Sequence, residues 1–145
     1  MSAFAWPVRV YWEDTDGGGV VYHANYLKFF ERARTEWLRL RGISQRLLAQ
    51  NSGVIFVVTD VSIQYRRPAR LDDELLVSCI TRRHGAASIR FEQCMSRHKP
   101  GASAAAETLA EAQVRAVCVD AETFKPKRLP IFLTSALGAP EQPPL

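Results

Sequence analysis

One long amphipathic helix is the feature of this sequence that most constrains its fold. Apolar residues recur at helical spacing from Asn25 to Arg41. The residues of this apolar face are Tyr26, Phe30, Ala33, Trp37 and Leu40. Leu27 and Phe29 widen the face, so we expect the helix to be buried along much of its length. Asn25 is a candidate N-cap, and Gly42 is a suitable residue to end the helix.

Four β-strands are predicted in series after this helix. Three of them cover residues 54–65, 75–84 and 87–98, and a turn at His84–Ala86 joins the last two. The fourth begins at about Glu107, where helix propensity is high but apolar and polar residues alternate, which favours a strand with one buried face. Strands without helices between them pair antiparallel, so we predict an α+β fold.

Length and composition fit one globular domain. The chain has 145 residues, 47% hydrophobic and 23% charged, and we assign residues 1–130 to the domain. We expect residues 131–145 to form a C-terminal tail with a disordered, proline-rich end. The net charge of +4 suits an anionic small ligand and is too low to indicate nucleic acid. We find neither a signal peptide nor a transmembrane segment, and we predict a cytoplasmic protein.

No metal site is predicted from the cysteines or from the acidic loop. Cys79, Cys94 and Cys118 contain no CxxC pair, and we expect buried thiols in a reducing compartment. Counted from Asp14, the loop matches a calcium loop at positions one, three and six, but position twelve is Asn25 instead of glutamate. We therefore predict no metal and no cofactor.

The stretch EDTDGGGVVYHANY places a carboxylate and a glycine-rich loop directly before the helix. It follows a predicted first strand, Val8–Glu13. Three consecutive glycines allow positive φ or a close approach of the backbone to a ligand. Asp16 and the free amides of the helix N-terminus would converge on one spot, which suits the conversion of a carbonyl into a tetrahedral anion. Asp14 is expected to hold the loop through side-chain to backbone hydrogen bonds.

This stretch resembles the signature of the 4-hydroxybenzoyl-CoA thioesterase family, in particular its branch associated with the bacterial Tol–Pal system. The similarity continues through VTDVSIQYRRPARLDDELLV and RHGAASIRFEQ to KPKRLP and covers about Val8 to Pro130. It implies the hotdog fold, in which a five- or six-stranded antiparallel sheet wraps one long central helix. It also implies a homodimer or homotetramer that hydrolyses an acyl-CoA to a free acid and CoA.

The resemblance implies roles for two residues of the loop. Asp16 matches the catalytic carboxylate, which acts as nucleophile or as general base for a water. His23 matches the position whose backbone N–H stabilises the oxyanion, and its side chain is expected to orient substrate or water. Trp12 departs from the pattern, because the Tol–Pal branch often has tyrosine there. An indole N–H cannot replace the chemistry of a phenol hydroxyl.

The resemblance also implies where the substrate binds. CoA contacts are expected near HGAAS and at the C-terminal end of the domain, where cations would meet the phosphates. The predicted substrate-binding residues are Arg82, Arg83, Ser88, Lys127 and Arg128. The acyl group is expected between subunits along the helix, near Phe29, Phe30 and Val57. Acyl chain length, and an acyl carrier protein in place of CoA, stay open.

Two other functions fit the sequence less well. A hotdog dehydratase requires a histidine followed by an FPG turn, whereas this chain has YHANY. The alternative from another class is a non-catalytic binding module for an acyl carrier protein or an envelope complex. The presence of Asp16 favours catalysis over that alternative.

Overall fold

The chain folds into six strands and three α-helices within residues 4–98 and 106–137, the part that this computed structural model describes. The strands are β1 (Ala5–Arg9), β2 (Val54–Tyr65), β3 (Glu74–Ser78), β4 (Ile80–His84), β5 (Ser88–Arg97) and β6 (Glu107–Asp120). The helices are α1 (Asn25–Leu40), α2 (Gln45–Ser52) and α3 (Ile131–Leu137), with a 3-10 turn at Trp12–Asp14. None of these helices is long and apolar enough to cross a membrane.

The strands form one antiparallel sheet in the order β1–β3–β5–β6–β2, and β4 pairs with β5 beside β3. Strands β3 and β4 are two halves of the strand predicted for 75–84, interrupted at Cys79. The fourth predicted strand is confirmed as β6, whose buried residues alternate with exposed ones. Strands β1 and β2 form the two edges of the order. The predicted α+β class is confirmed.

Helix α1 packs against the sheet through one apolar face. The buried residues of this face are Tyr26, Phe29, Phe30, Ala33, Trp37 and Leu38. The prediction that Leu40 is buried is wrong, because Leu40 is 70% exposed, and Leu27 is also exposed. The chain turns back after Gly42, and Ile43 packs with Leu38, so the last turn is covered on the Leu38 side. Periodicity alone does not reveal which side of a terminal turn the following segment covers.

The two ends of α1 show one prediction wrong and one confirmed. Ala24 is the N-cap and no side chain in the described part of the chain caps the helix, so the expectation that Asn25 is the N-cap is wrong. Asn25 is the first helical residue, and its Nδ2 donates to the Asp14 carbonyl at 3.0 Å. Gly42 has φ of 78° directly after the helix, in the left-handed region that glycine adopts without strain.

The termini also differ from the sequence expectations. The first strand covers Ala5–Arg9 and not Val8–Glu13, because Trp12–Asp14 forms a 3-10 turn. Part of the predicted tail forms α3, whose Leu133 and Leu137 are buried in the core. The disorder predicted for the end of the tail concerns residues 138–145, which lie outside the described residues.

Replacing Phe30 by alanine should destabilise the fold strongly. Phe30 is 0% exposed at the helix–sheet interface, and removing such a ring costs about 3–5 kcal/mol. Leu27→Ala, on the exposed side of the same helix, is the matched control and should cost much less. Urea unfolding of the two variants measures the difference, and equal losses would contradict the burial described here.

Candidate active site

The glycine-rich loop is the tip of a tight hairpin directly before α1. The Asp16 N–H donates to the Val20 carbonyl at 2.9 Å, and the Gly19 N–H donates to the Asp16 carbonyl at 3.1 Å. Gly19 has φ of 78°, which explains the need for glycine at this position. A Cβ at Gly18 would lie 3.2 Å from Asp16 Oδ1. The glycines therefore close the turn around the Asp16 carboxylate.

The Asp16 carboxylate is exposed and has one oxygen held by the hairpin. Its Oδ1 accepts a hydrogen bond from the Gly18 N–H at 2.8 Å. Its other oxygen accepts from no donor within the described part of the chain. The carboxylate is thus oriented by the loop and still open to a ligand from solvent.

Asp14 ties the hairpin to the neighbouring segments. Its side chain is buried, and Oδ2 accepts from the Tyr11 N–H at 2.7 Å. Its carbonyl accepts from the Tyr22 N–H at 2.9 Å and from Asn25 Nδ2 at 3.0 Å. The predicted structural role of Asp14 is confirmed. Asp14 therefore connects the segment that follows β1, both arms of the hairpin and the start of α1.

His23 lies in the turn between the hairpin and the helix. Its imidazole is exposed and stacks on the Tyr22 ring, with centroids 4.6 Å apart. The N–H groups of His23 and Ala24 donate to no acceptor among the residues that the structure describes. These N–H groups lie at the N-terminus of α1, where the helix dipole favours negative charge.

Tyr65 supports this turn and was missed from the sequence. Its hydroxyl donates to the His23 carbonyl at 2.8 Å, and its ring meets the Tyr26 ring edge-to-face at 5.1 Å. Burial raises the pKa of Tyr65, and Tyr26 raises it further, so the hydroxyl remains a donor. Tyr26 in turn accepts from the Ala69 N–H at 2.9 Å. Only strand pairing brings residue 65 to the helix start, so no local pattern could have indicated it.

The predicted CoA-binding residues of the β4–β5 hairpin do not share one face. Arg82 and Arg83 are consecutive in β4, so their side chains point to opposite sides of the sheet. Arg82 is exposed and its Nε donates to Glu92 at 3.3 Å. Arg83 has a buried Nε without an acceptor in the described part. Ser88 is buried, and its hydroxyl donates to the His84 carbonyl.

The C-terminal cations lie beside that hairpin. The Leu129 N–H donates to the Ala86 carbonyl at 2.9 Å, which joins the two segments. Lys127 Nζ lies 3.7 Å from the Asp120 carboxylate. Arg128 is exposed and forms no ion pair within the described residues. The structure therefore brings the two predicted substrate-binding clusters together.

Within one chain, this cationic cluster and Asp16 lie at opposite ends of the sheet. Ser88 pairs with Val117 at one end of β6. At the other end, the Leu109 carbonyl accepts hydrogen bonds from N–H groups of the segment just before Ala69. The Ala69 carbonyl in turn accepts a hydrogen bond from the Val21 N–H of the hairpin. Val117 follows Leu109 by eight residue steps along β6, or roughly 26 Å.

Two of the three expected acyl-binding residues are closed to a ligand, and the third faces away from the helix. Phe29 and Phe30 are 0% exposed and belong to the core. Phe56 packs against the core, so Val57 points to the opposite face of the sheet, away from α1. The open space on the helix side lies further along α1. Among the described residues, no three His, Cys, Asp or Glu side chains are placed to hold a metal ion.

Residues 10–137 match the sequence model of the thioesterase-like superfamily. The chain belongs to this superfamily. It is 44% identical to the acyl-CoA thioesterase YbgC of Haemophilus influenzae over 89% of this chain and 90% of that protein. It is 46% identical to the acyl-CoA thioester hydrolase YbgC of an Escherichia coli strain, over 89% and 91% of the two chains. The resemblance stated from the sequence is confirmed.

Solved structures support the same assignment. A 1,4-dihydroxy-2-naphthoyl-CoA thioesterase from Synechocystis superposes with a TM-score of 0.82 at 28% identity, over 92% of this chain and 94% of the other. A probable thioesterase from Bartonella henselae gives 0.78 at 37% identity, over 89% and 100%. The predicted hotdog fold is therefore confirmed.

Replacing Asp14 by alanine should lower stability. The change removes a partly buried hydrogen bond from the Tyr11 N–H to a carboxylate, and hydrogen bonds to charged groups contribute about 1.5–3 kcal/mol. Glu13→Ala removes an exposed acid from the same 3-10 turn and serves as the control. Urea unfolding should separate the two variants by more than 1 kcal/mol. An unchanged urea midpoint for Asp14→Ala would show that the hydrogen bond from the Tyr11 N–H does not stabilise the fold.

Proposed function

We propose that this protein hydrolyses acyl-CoA thioesters to a free acid and CoA, with Asp16 as the catalytic carboxylate. The observation that carries the proposal is the exposed Asp16 carboxylate on a hairpin that leads directly into a helix start, where two N–H groups have no acceptor among the described residues. The names of the YbgC relatives as acyl-CoA thioesterases support the reaction class.

In this mechanism the thioester oxygen faces the N–H groups of His23 and Ala24. Negative charge grows on that oxygen as the carbonyl carbon becomes tetrahedral, and the N–H groups with the helix dipole stabilise it. The hydrogen bond from Tyr65 to the His23 carbonyl holds the peptide that carries the Ala24 N–H. The exposed His23 imidazole orients the substrate or the attacking water.

Asp16 acts in one of two ways that need the same group. As a nucleophile, a carboxylate oxygen bonds to the acyl carbon, the C–S bond breaks and CoA leaves as the thiol after protonation. Water then hydrolyses the resulting anhydride. As a general base, Asp16 takes a proton from water, and the oxygen of that water bonds to the acyl carbon. The tetrahedral intermediate then collapses, the C–S bond breaks, and the proton held by Asp16 passes to the departing CoA thiolate.

We further propose that the cations reach the substrate from a second copy of the chain. Strand β2 has twelve residues and lies at the edge of the sheet, with Val58 and Val61 exposed. Antiparallel pairing of two β2 strands would bring the Val54 end of one chain beside the Tyr65 end of the other. The Val54 end lies next to the cluster with Lys127 and Arg128. A homodimer, alone or within a homotetramer, would then complete the site.

The finer assignments of substrate and compartment belong to the same proposal. CoA phosphates would contact Lys127, Arg128 and one of Arg82 and Arg83, since these two point to opposite sides of the sheet, while Ser88 keeps the turn in shape. An acyl carrier protein could deliver the same thioester in place of CoA. Three free cysteines support a reducing compartment, which agrees with a cytoplasmic location.

Replacing Asp16 should abolish turnover. Loss of a catalytic carboxylate lowers the rate by about 10²–10⁴-fold. The measurement is thiol release from short, long and aromatic acyl-CoAs. Asp16→Asn would place asparagine before Gly17, a sequence prone to deamidation back to aspartate, so Asp16→Ala should be measured beside it.

Glu13→Gln is the matched control, since it removes an exposed acid from the same loop and should retain activity. Full turnover by Asp16→Ala would contradict the assigned site. Turnover by neither wild type nor variants, together with binding of an acylated carrier protein, would favour the non-catalytic binding module.

Replacing Lys127 and Arg128 together by alanine should raise KM for acyl-CoA about 3- to 10-fold with little change in kcat. Each exposed cation contributes roughly 0.2–1 kcal/mol to an ion pair, and that contribution weakens with salt. Arg9→Ala on the far edge strand removes a surface charge and serves as the control. A KM that stays constant across variants and salt would exclude these cations from CoA binding.

A further inference from the structure

A small cavity lies between helix α1 and the edge strand β2, on the face of the sheet that carries the helix. Its volume is about 190 Å³. Phe56, Phe91 and Ala116 contribute apolar surface, and Arg34 forms part of the helix side. At about 30 Å³ for a water-sized group, the cavity has room for roughly six heavy atoms. That size suits the end of an acyl group and not a whole ligand.

Arg34 is held firmly at this cavity. Its Nη1 donates to Gln93 Oε1 at 3.1 Å, and its guanidinium lies 5.8 Å from the centroid of the Phe91 ring. Gln93 is buried and is itself fixed, because its Nε2 donates to the Phe30 carbonyl at 2.9 Å. A guanidinium has five N–H donors, and only one of them is used here within the described residues.

Arg34 forms no ion pair within the described part of the chain. Glu31 also lines the cavity, and its charge raises the pKa of Arg34. Its carboxylate accepts from the Thr35 hydroxyl at 3.1 Å and forms no ion pair with Arg34. Burial raises the pKa of Cys79 to about 12, so its thiol is neutral at physiological pH. Burial also lowers the pKa of Arg34 itself. A partly buried cation without an anion in hydrogen-bond contact is unfavourable, and a carboxylate bound to the unused N–H groups of Arg34 would relieve that cost.

The cavity and the proposed reaction site lie along the same side of helix α1. Arg34 follows His23 by eleven residues on α1, or roughly 16 Å along the helix axis. Helical side chains lean toward the N-terminus, which shortens the gap to roughly 10 Å. Between the two lie Leu27 of the helix and Val61 of β2, both exposed. An extended chain advances roughly 1.2 Å per bond, so about eight bonds span the gap.

We infer that this cavity binds the far end of a medium-length acyl group that ends in a carboxylate, with Arg34 as the residue that determines this specificity. The substrate class is then the monothioesters of dicarboxylic acids. The inference rests on the proposed function, because it assumes that the thioester carbonyl sits at the His23 turn.

The test compares kcat/KM for matched pairs of CoA thioesters, each pair of equal carbon number. The pairs are hexanoyl with adipoyl, octanoyl with suberoyl, and decanoyl with sebacoyl. Wild type should prefer the carboxylated member by at least tenfold at one of these lengths. Arg34→Met, similar in length but uncharged, should reduce that ratio at least tenfold, because the carboxylate would lose its partner.

Two further variants complete the design. Arg39→Met removes an exposed cation from the same helix, and its ratio should equal that of wild type. Arg34→Lys keeps the charge without the planar fork and should give a ratio between those of wild type and Arg34→Met. If Arg34→Met does not fold, Arg34→Lys takes its place in the comparison.

The outcomes separate the inference from the proposed function. Asp16-dependent hydrolysis with a preference for plain chains at every length would overturn the inference alone, as would an equal ratio in wild type and Arg34→Met. Absence of hydrolysis of all six thioesters by wild type would overturn both.

Discussion

Burial of the aromatic face of helix α1 is the constraint on which the rest of the structure depends. Phe29, Phe30 and Trp37 need a broad apolar surface, and an antiparallel sheet wrapped around one helix provides it. Once the helix is fixed, its N-terminus lies at one end of the sheet, against the chain near Ala69. The hairpin that precedes the helix therefore has little freedom in where it places Asp16.

The same constraint explains which parts of the site could be predicted. The hairpin, Asp16 and Asp14 lie within one short stretch, so their positions directly before the helix follow from local chemistry and from a specific motif. Alternation in β6 was enough to override helix propensity, because one face of that strand meets the core. These features are encoded by neighbours in the chain.

Features that depend on distant pairing could not be predicted. Tyr65 reaches His23 across a gap of 42 residues, and Arg34 meets Gln93 across 59. The face of Val57 depends on its register with β6, and the irregularity between Val58 and Asp60 changes which residues of β2 point inward. Leu38 is buried because of the turn at Gly42, which helical periodicity does not describe. In each case the contact belongs to the tertiary structure and not to a repeat in the sequence.

The unequal edges of the sheet have a consequence for how far the chain can assemble. Among the described strands, β2 offers a long unpaired edge, whereas β1 at the other end has five residues, including Pro7, which has no N–H to donate. The free side of β4 is short, and α3 covers it where the Thr81 hydroxyl meets the Leu137 carbonyl. Joining two copies through β2 would pair both long edges with each other, and the sheet edges that stay unpaired would be short and obstructed. Strand addition would then stop at two copies, which protects the protein against growth into fibres.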